Sequence, residues 1–416
     1  MEALRSRGLL AEAAPARWEE HPLEEAGENS GISDFSNIFS ENSQKLVNVE
    51  AFALAAKYYS LPNLGVCIPL EQLLVTLGRN PQQRPGSEVK PDDFMNAKKS
   101  HEVQVMSELI GYIADFCGIK QVIDLGSGKG YLSSFLSMQY GLKVYGIDSS
   151  NINTHGAKER NRKLKKHWRV YQTRSRAHIG GQDCIMVGLH TCGDLAPNTL
   201  RIFTSKSEIK GVCSVGCCYH LLSEKYEKEC KDDTLEMWGF PMCQYLKEEG
   251  WCCGRNARMS ACLALERVAV GQGLATESLF YRAVLQEIIK ECYGITECDK
   301  HVGKVYSKSA SFLDYVRKSL KKLELDDSKL TEKMIMEYYE KYKPRMNELE
   351  AFNMLKVVLA PCIETLILMD RLCYLKEQDN IAWSALVKLF DPVKSPRCYA
   401  VIALKKQSCF QVEASC

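Results

Sequence analysis

The segment 121-QVIDLGSGKGYLSSF-135 decides how this chain is read. It starts as a short β-branched run (Gln121 to Leu125) and breaks into glycines at alternate positions: Gly126, Gly128 and Gly130. It then takes up the helical spacing of Leu132, Phe135 and Leu136. A strand feeding a glycine turn that opens a helix suits a ligand whose charged end must meet bare backbone N–H groups, because a Cβ would block the approach. A second strand, Lys143 to Asp148, follows. Strand, turn, helix and strand form the opening unit of a parallel, doubly wound sheet. Asp148 ends the second strand 22 positions after Gly126, where a carboxylate can accept both hydroxyls of a ribose.

A dinucleotide turn, G-x-G-x-x-G, would place its third glycine at 131, but that residue is Tyr131. The alternation Asp124-x-Gly126-x-Gly128-x-Gly130 is instead the turn of enzymes that use S-adenosylmethionine. On this reading Asp124, Gly126, Ser127, Gly128, Lys129, Gly130 and Tyr131 hold the methionine end, and Asp148 with Ser149 holds the sugar. Leu189 and His190, after the next recognisable strand, complete the cofactor contacts. A nicotinamide or flavin dinucleotide, or a turn that packs and binds nothing, are the other readings of the glycines.

Working outward, the apolar spacing Phe94, Val103, Met106, Ile110, Ile113, Phe116 predicts a helix that stops at Gly118. Residues 40–62 read as a helix closed by Pro62, followed by a Gly- and Pro-bearing linker. Two further buried-strand runs, Cys184 to Leu189 and Gly211 to Val215, end in polar, cysteine-bearing turns. Long amphipathic patterns then occupy 225–380, with Pro361 expected to break or kink the last. The chain closes on a strand at 398–404. The predicted architecture is α/β: a Rossmann-like class I methyltransferase sheet with a helical insertion and an N-terminal helical extension. The expected divisions are a disordered 1–32, a helical region and linker at 33–90, a cofactor-binding core at 91–224, a helical acceptor region at 225–380, and 381–416 returning to the sheet.

The two cysteine-bearing turns read Gly188-Leu189-His190-Thr191-Cys192-Gly193-Asp194 and Val215-Gly216-Cys217-Cys218-Tyr219-His220. In a doubly wound sheet both face the crevice beyond the carboxyl ends of the strands. His190, Asp194 and His220 are the acid–base groups there, and Tyr219 could stack on a planar acceptor. In the plainer alternative Cys192, Cys213, Cys217 and Cys218 fill tight space near the sheet while the histidines cap it. His190-x-Cys192 with Cys217-x-x-His220 could in principle supply four zinc ligands. These pairs lack the C-x-x-C spacing of structural sites, so no metal is expected.

The chain has 416 residues, with 54 Lys plus Arg against 52 Asp plus Glu, a net charge of +2. A nearly neutral protein has no global field toward nucleic acid. The exception is local: 158-KERNRKLKKHWRVYQTRSR-176 has nine basic residues and one acid, with Trp168 and Tyr171 interleaved. It could hold a phosphate backbone and stack a base, or be a solvated helix face. The longest apolar stretch, Val357 to Met369, is interrupted by Pro361 and Glu364 and is too short for a membrane span. The 19 cysteines are an odd number and no export signal precedes them. A reduced compartment, cytoplasm or nucleus rather than a secreted location, is expected. The link from Asp148 to Gly188 is also too short for the usual third strand between two helices.

DLGSGKGYLS (124–133), GLHTCGDL (188–195), SVGCCYHLLS (214–223) and SPRCYAVIALK (395–405) together resemble the methyltransferase-like protein 25 family over nearly the whole chain from about residue 35. More distantly, His190-x-Cys192-Gly193 and Cys217-Cys218-x-His220 are similar to motifs of eukaryotic tRNA 2′-O-methyltransferases of the acceptor stem. The resemblance implies an S-adenosylmethionine-dependent methyltransferase, and the distant one an RNA acceptor. A non-catalytic cofactor-binding scaffold and a protein methyltransferase are the alternatives.

Overall fold

The computed structural model describes residues 49–79, 95–150, 153, 155, 183–226, 237–271, 276–295 and 302–406. The predicted disordered N-terminus at 1–32, most of the linker and the basic stretch 158–176 lie outside the described residues. Two compact units divide the chain: 1–266 with 358–416, and 267–357.

The first unit is built on a seven-stranded sheet: β1 (Cys67–Pro69), β2 (Gln121–Leu125), β3 (Lys143–Ile147), β4 (Cys184–Cys192), β5 (Ile209–Cys217), β6 (Ile381–Lys388) and β7 (Tyr399–Lys405). Their order across the sheet is β1-β6-β7-β5-β4-β2-β3. Only β7 runs antiparallel to its neighbours, pairing Cys213 with Ile402 on β5 and Leu386 with Val401 on β6. The central strands β4 and β5 read as near-continuous apolar runs because both faces are covered, whereas β3, at the edge, leaves Tyr145 and Ile147 exposed. Among the described residues, nothing pairs with the outer edge of β3, the place where the sequence reading found too little chain for another strand.

Helices α1 (Val49–Tyr58), α2 (Leu70–Thr76), α3 (Ala97–Cys117), α4 (Tyr131–Tyr140), α5 (Leu195–Ser205) and α6 (Arg255–Ser260) belong to this unit. Helix α3 starts where the Asn96 side chain accepts the Lys99 N–H and ends at Gly118, whose left-handed backbone closes the last turn. Its buried face carries Val103, Met106, Ile110 and Ile113, the predicted stripe, together with the acid Glu102. The core formed with β2, β4, β5 and β7 is continuous, with Ile185, Val187, Val212 and Ile402 fully buried.

The second unit is helical: α7 (Thr276–Tyr293), α8 (Phe312–Leu323), α9 (Glu332–Tyr342) and the first turns of α10 (Met346–Lys376). Ser311 and Thr331 cap α8 and α9 through their side-chain oxygens. Tyr281 packs edge-on against Phe312, with ring centres 5.1 Å apart, in a core shared with Leu285, Val316 and Ile335.

Three expectations change. The helical unit is 267–357 rather than 225–380, since 225–266 and 358–380 belong with the sheet. Helix α10 runs unbroken through Pro361. Burial of Ala360, Ile367, Leu368 and Leu372 along it outweighs the single backbone hydrogen bond that proline removes. Pro62 lies in the first turn of the short helix Leu61–Leu64 instead of ending a helix, because proline's fixed φ and missing N–H are tolerated there. Strands β1 and β6 had no sequence counterpart in the reading.

Candidate active site

The glycine turn joins β2 to α4. Gly126, Gly128 and Gly130 have φ of 68°, 55° and 71°, all left-handed, a region where a Cβ is strained and glycine is not. The Gly126 and Ser127 N–H groups donate to the Ile147 carbonyl, so the turn is tied to the end of β3. Asp148 Oδ2 accepts the Gly128 N–H at 2.9 Å, and Oδ1 accepts from Ser150 N and Asn153 Nδ2. Burial works against the Asp148 charge. The hydrogen bonds from Ser150, Asn153 and Gly128 outweigh it and hold the carboxyl below its ordinary value. A Cβ built on Gly128 would meet no atom closer than the Gly126 carbonyl at 4.0 Å, so open space lies at this glycine, beside Asp148. Lys129 and Ser149 are exposed at this edge, and Tyr131 begins α4 with the Lys99 ammonium 5.0 Å from its ring centre.

Asp124 differs from the rest of the expected cofactor set. It is buried, and its carboxylate accepts the Ser133 hydroxyl at 2.5 Å. Burial raises its carboxyl to about 6, against the hydrogen bonds from Ser133 and with a push from Asp148. Its carboxylate braces strand to helix.

His190 is delivered by a bulge. The register of β4 on β5 slips between Gly188, opposite Ser214, and Thr191, opposite Gly216, which inserts one residue at Leu189–His190. Gly188 is required there, because a Cβ would lie 2.4 Å from the Thr191 methyl. The bulge sets the His190 carbonyl against the glycine turn, 3.6 Å from where a Gly126 Cβ would stand. The His190 ring is turned to α3, with Nε2 3.1 Å from Glu102 Oε2. Glu102 is fully buried and also accepts the Ser395 hydroxyl at Oε1. Burial alone would raise this carboxyl, but the hydrogen bonds from His190 and Ser395, with Lys98 3.5 Å away, hold it below its ordinary value. The reading of single motifs missed Glu102. Its signal was an acid inside the apolar stripe of α3.

The second turn, at the end of β5, gives a different result. His220 is half-buried, with Nδ1 3.7 Å from Cys262 Sγ. Burial, then Arg255 and Arg258, lower its pKa and favour the neutral ring. Tyr219 is not open to a planar acceptor. It is buried, its hydroxyl donates to Glu364 at 2.8 Å, and the Arg371 and Arg397 guanidiniums lie 5.7 Å from its ring centre. The strand-end tyrosine is spent on a buried polar network. Asp194 likewise accepts the Ser223 N–H at 2.9 Å and holds that loop to the start of α5. Cys192, Cys217 and Cys218, read as packing residues, bring their sulfurs within 4.8 Å of one another.

A parallel sheet with one reversed strand, a left-handed glycine turn after β2 and an acid at the end of β3 in contact with that turn define a Rossmann-like methyltransferase domain. The family model described as a methyltransferase domain matches residues 98–225, the span from α3 to the turn beyond β5. The chain belongs to the methyltransferase-like protein 25 family. It is 57% identical to the human protein named probable methyltransferase-like protein 25, over 98% of this chain and 90% of that one. It is 54% identical to the mouse protein of the same name, over 97% and 91%. The human match extends over 546 positions against 416 residues here, so well over a hundred aligned positions have no residue in this chain.

Proposed function

We propose that the chain transfers the methyl group of S-adenosylmethionine to a ribose hydroxyl of RNA. The observation that carries the reading is His190, placed by the β4 bulge beside the glycine turn with its Nε2 on the buried Glu102 carboxylate. A sulfonium methyl is already electrophilic, so a thiolate or a nitrogen with a free lone pair needs alignment alone, whereas a hydroxyl must also lose its proton. A carboxylate-held histidine is the group that such an acceptor requires.

The residues fit the cofactor: the left-handed glycines leave room for its aminoacyl end, and Asp148 lies at that room's edge with lone pairs remaining for ribose hydroxyls. When bound, S-adenosylmethionine supplies the activated methyl group. Glu102 accepts the Nε2–H of His190, which fixes the tautomer and leaves Nδ1 as the lone-pair nitrogen that takes the acceptor proton. Ser395 donates to the other oxygen of Glu102 and keeps the carboxylate in place. The basic stretch 158–176 and the likeness of the cysteine–histidine motifs to those of tRNA 2′-O-methyltransferases support RNA as acceptor. The thiol-rich composition fits the cytoplasm or nucleus.

The test has two arms. Calorimetric titration with S-adenosylhomocysteine should show binding to the wild type that is lost or weakened at least about tenfold in Asp148→Ala, since each 1.4 kcal/mol is tenfold; equal affinity would remove the cofactor assignment. Radiolabelled methyl transfer into RNA from cells lacking the protein should give label released by nuclease and absent with His190→Ala. Label released only by protease would make this a protein methyltransferase. Cofactor binding with no label in either fraction would make it a scaffold.

A further inference from the structure

We propose that Cys192, Cys217 and Cys218 form a three-thiolate Zn2+ site at the carboxyl ends of β4 and β5, with its fourth position open toward the crevice.

Cys192 and Cys217 are register partners across the two strands, and their sulfurs lie 3.0 Å apart. The third thiol comes from a neighbour that an extended strand would point to the opposite face. Cys218 avoids this because its backbone is left-handed, with φ 51° and ψ 49°, outside the ordinary range of a residue bearing a Cβ. The turn brings its sulfur to the same side, and all three ligand atoms lie within 4.8 Å of one another. Tetrahedral zinc, with Zn–S about 2.3 Å, separates its sulfurs by roughly 3.8 Å, a spacing the cluster reaches with small side-chain rotations. These motifs offer no C-x-x-C pair, which is why ligand spacing along the chain gives no hint of the site. The ligands come instead from two parallel strands whose ends the sheet sets side by side.

Charge also favours the assignment. Three thiolates on a dication carry a net charge of −1. The buried Arg371 guanidinium lies against Gly216, next to Cys217, and its Nε and Nη2 have no hydrogen-bond partner among the described residues. Among those residues no fourth Cys, His or carboxylate atom joins the cluster at the same spacing, and Cys192 is exposed. Three protein ligands and one accessible position are the pattern of zinc sites that admit water or an incoming acceptor, not of closed structural sites.

The test uses the full chain, purified under reductant, freed of metal and titrated with Co2+, which reports thiolate ligation by its near-ultraviolet charge-transfer band. The wild type should bind one equivalent with the intense band and tetrahedral visible bands, and the protein as isolated should carry zinc. Cys192→Ser and Cys218→Ser, neither fully buried, should lose one thiolate's share of the band and more metal affinity than the roughly 10–100-fold that loss of an outer-shell partner costs. Cys117→Ser, on the far side of the core, should change nothing. Circular dichroism establishes that each variant is folded, and the wild-type spectrum stands even if one is not. Metal-free protein that binds no cobalt, cobalt bound without the thiolate band, or a full band in Cys192→Ser would overturn the site. A Cys192–Cys217 disulfide in place of metal would overturn it too. The readout is metal alone, so it does not depend on the methyl acceptor.

Discussion

Glu102 and His190 are 88 positions apart in the chain, yet His190 Nε2 sits 3.1 Å from Glu102 Oε2, one group fully buried and the other partly exposed. Helix α3 supplies the acid and the β4 bulge supplies the base, so neither motif alone contains the pair. The arrangement gives a histidine at a strand end a fixed tautomer, and it separates this residue from His220, whose ring faces a thiol.

Glu102→Gln tests the pair. The amide removes the charge that accepts Nε2–H while keeping the size. Methyl transfer should fall about 100-fold, the lower end of general-base contributions, with KM and S-adenosylhomocysteine affinity unchanged. A fall in cofactor affinity instead would assign Glu102 to the fold of the cofactor site. The folded carboxyl lies below its ordinary value of 4.5. Its contribution to stability is therefore complete above that value and disappears as pH drops through the lowered one.

Asp124 has the opposite sign. Its folded carboxyl is raised from 3.8 to about 6, so the native state binds more protons across that window and loses stability as pH rises through it. The cost above pH 6 is about 3 kcal/mol at most. Asp124→Asn keeps an acceptor for Ser133 and should raise the melting temperature at pH 7.5. The gain should shrink as pH falls below 6 and vanish near 4. A constant or negative difference across that range would show that the charge is not the cost.

Tyr219→Phe separates a buried brace from a stacking platform. Removing the hydroxyl leaves Arg397 as the remaining hydrogen-bond partner of Glu364 among the described residues, in a largely buried network, which should cost about 1–3 kcal/mol of stability in chemical denaturation. The specific activity of the folded variant should stay within about twofold, since 1.4 kcal/mol in a barrier is already tenfold. A large loss of activity with unchanged stability would return Tyr219 to the acceptor pocket.

Gly128→Ala adds a Cβ at φ 55° in the space next to Asp148. Left-handed strain should cost about 1–2 kcal/mol in stability. Cofactor affinity should fall more steeply than stability, because the methyl group occupies the room meant for the ligand. Gly118→Ala, also left-handed but with open space around it, carries the same strain and should leave S-adenosylhomocysteine binding unchanged.

The glycine turn and Asp148 were legible from the sequence because they are local: three glycines at alternate positions permit a left-handed turn that other residues would resist, and an acid at the end of the next parallel strand arrives beside it. The stripe of α3, strands β2 to β5 and the terminal strand follow from periodicity for the same reason. Strand β6 was not legible, since Ile381–Lys388 becomes a strand only through its pairing with β7 and β1. Pro361 does not end α10, because its local cost is set against burial along the helix that no window of sequence displays.

The chain by itself thus determined a methyltransferase sheet and the glycine turn with its neighbouring acid, where backbone conformation and short-range spacing fix the outcome. The tertiary structure alone decided the chemistry at the strand ends. It enclosed Tyr219 and Asp194 in internal hydrogen bonds, seated His190 on an acid from a distant helix, and gathered three thiols from two strands. The physical reason is that the availability of a side chain depends on what packs against it, and those neighbours come from parts of the chain that no local pattern connects.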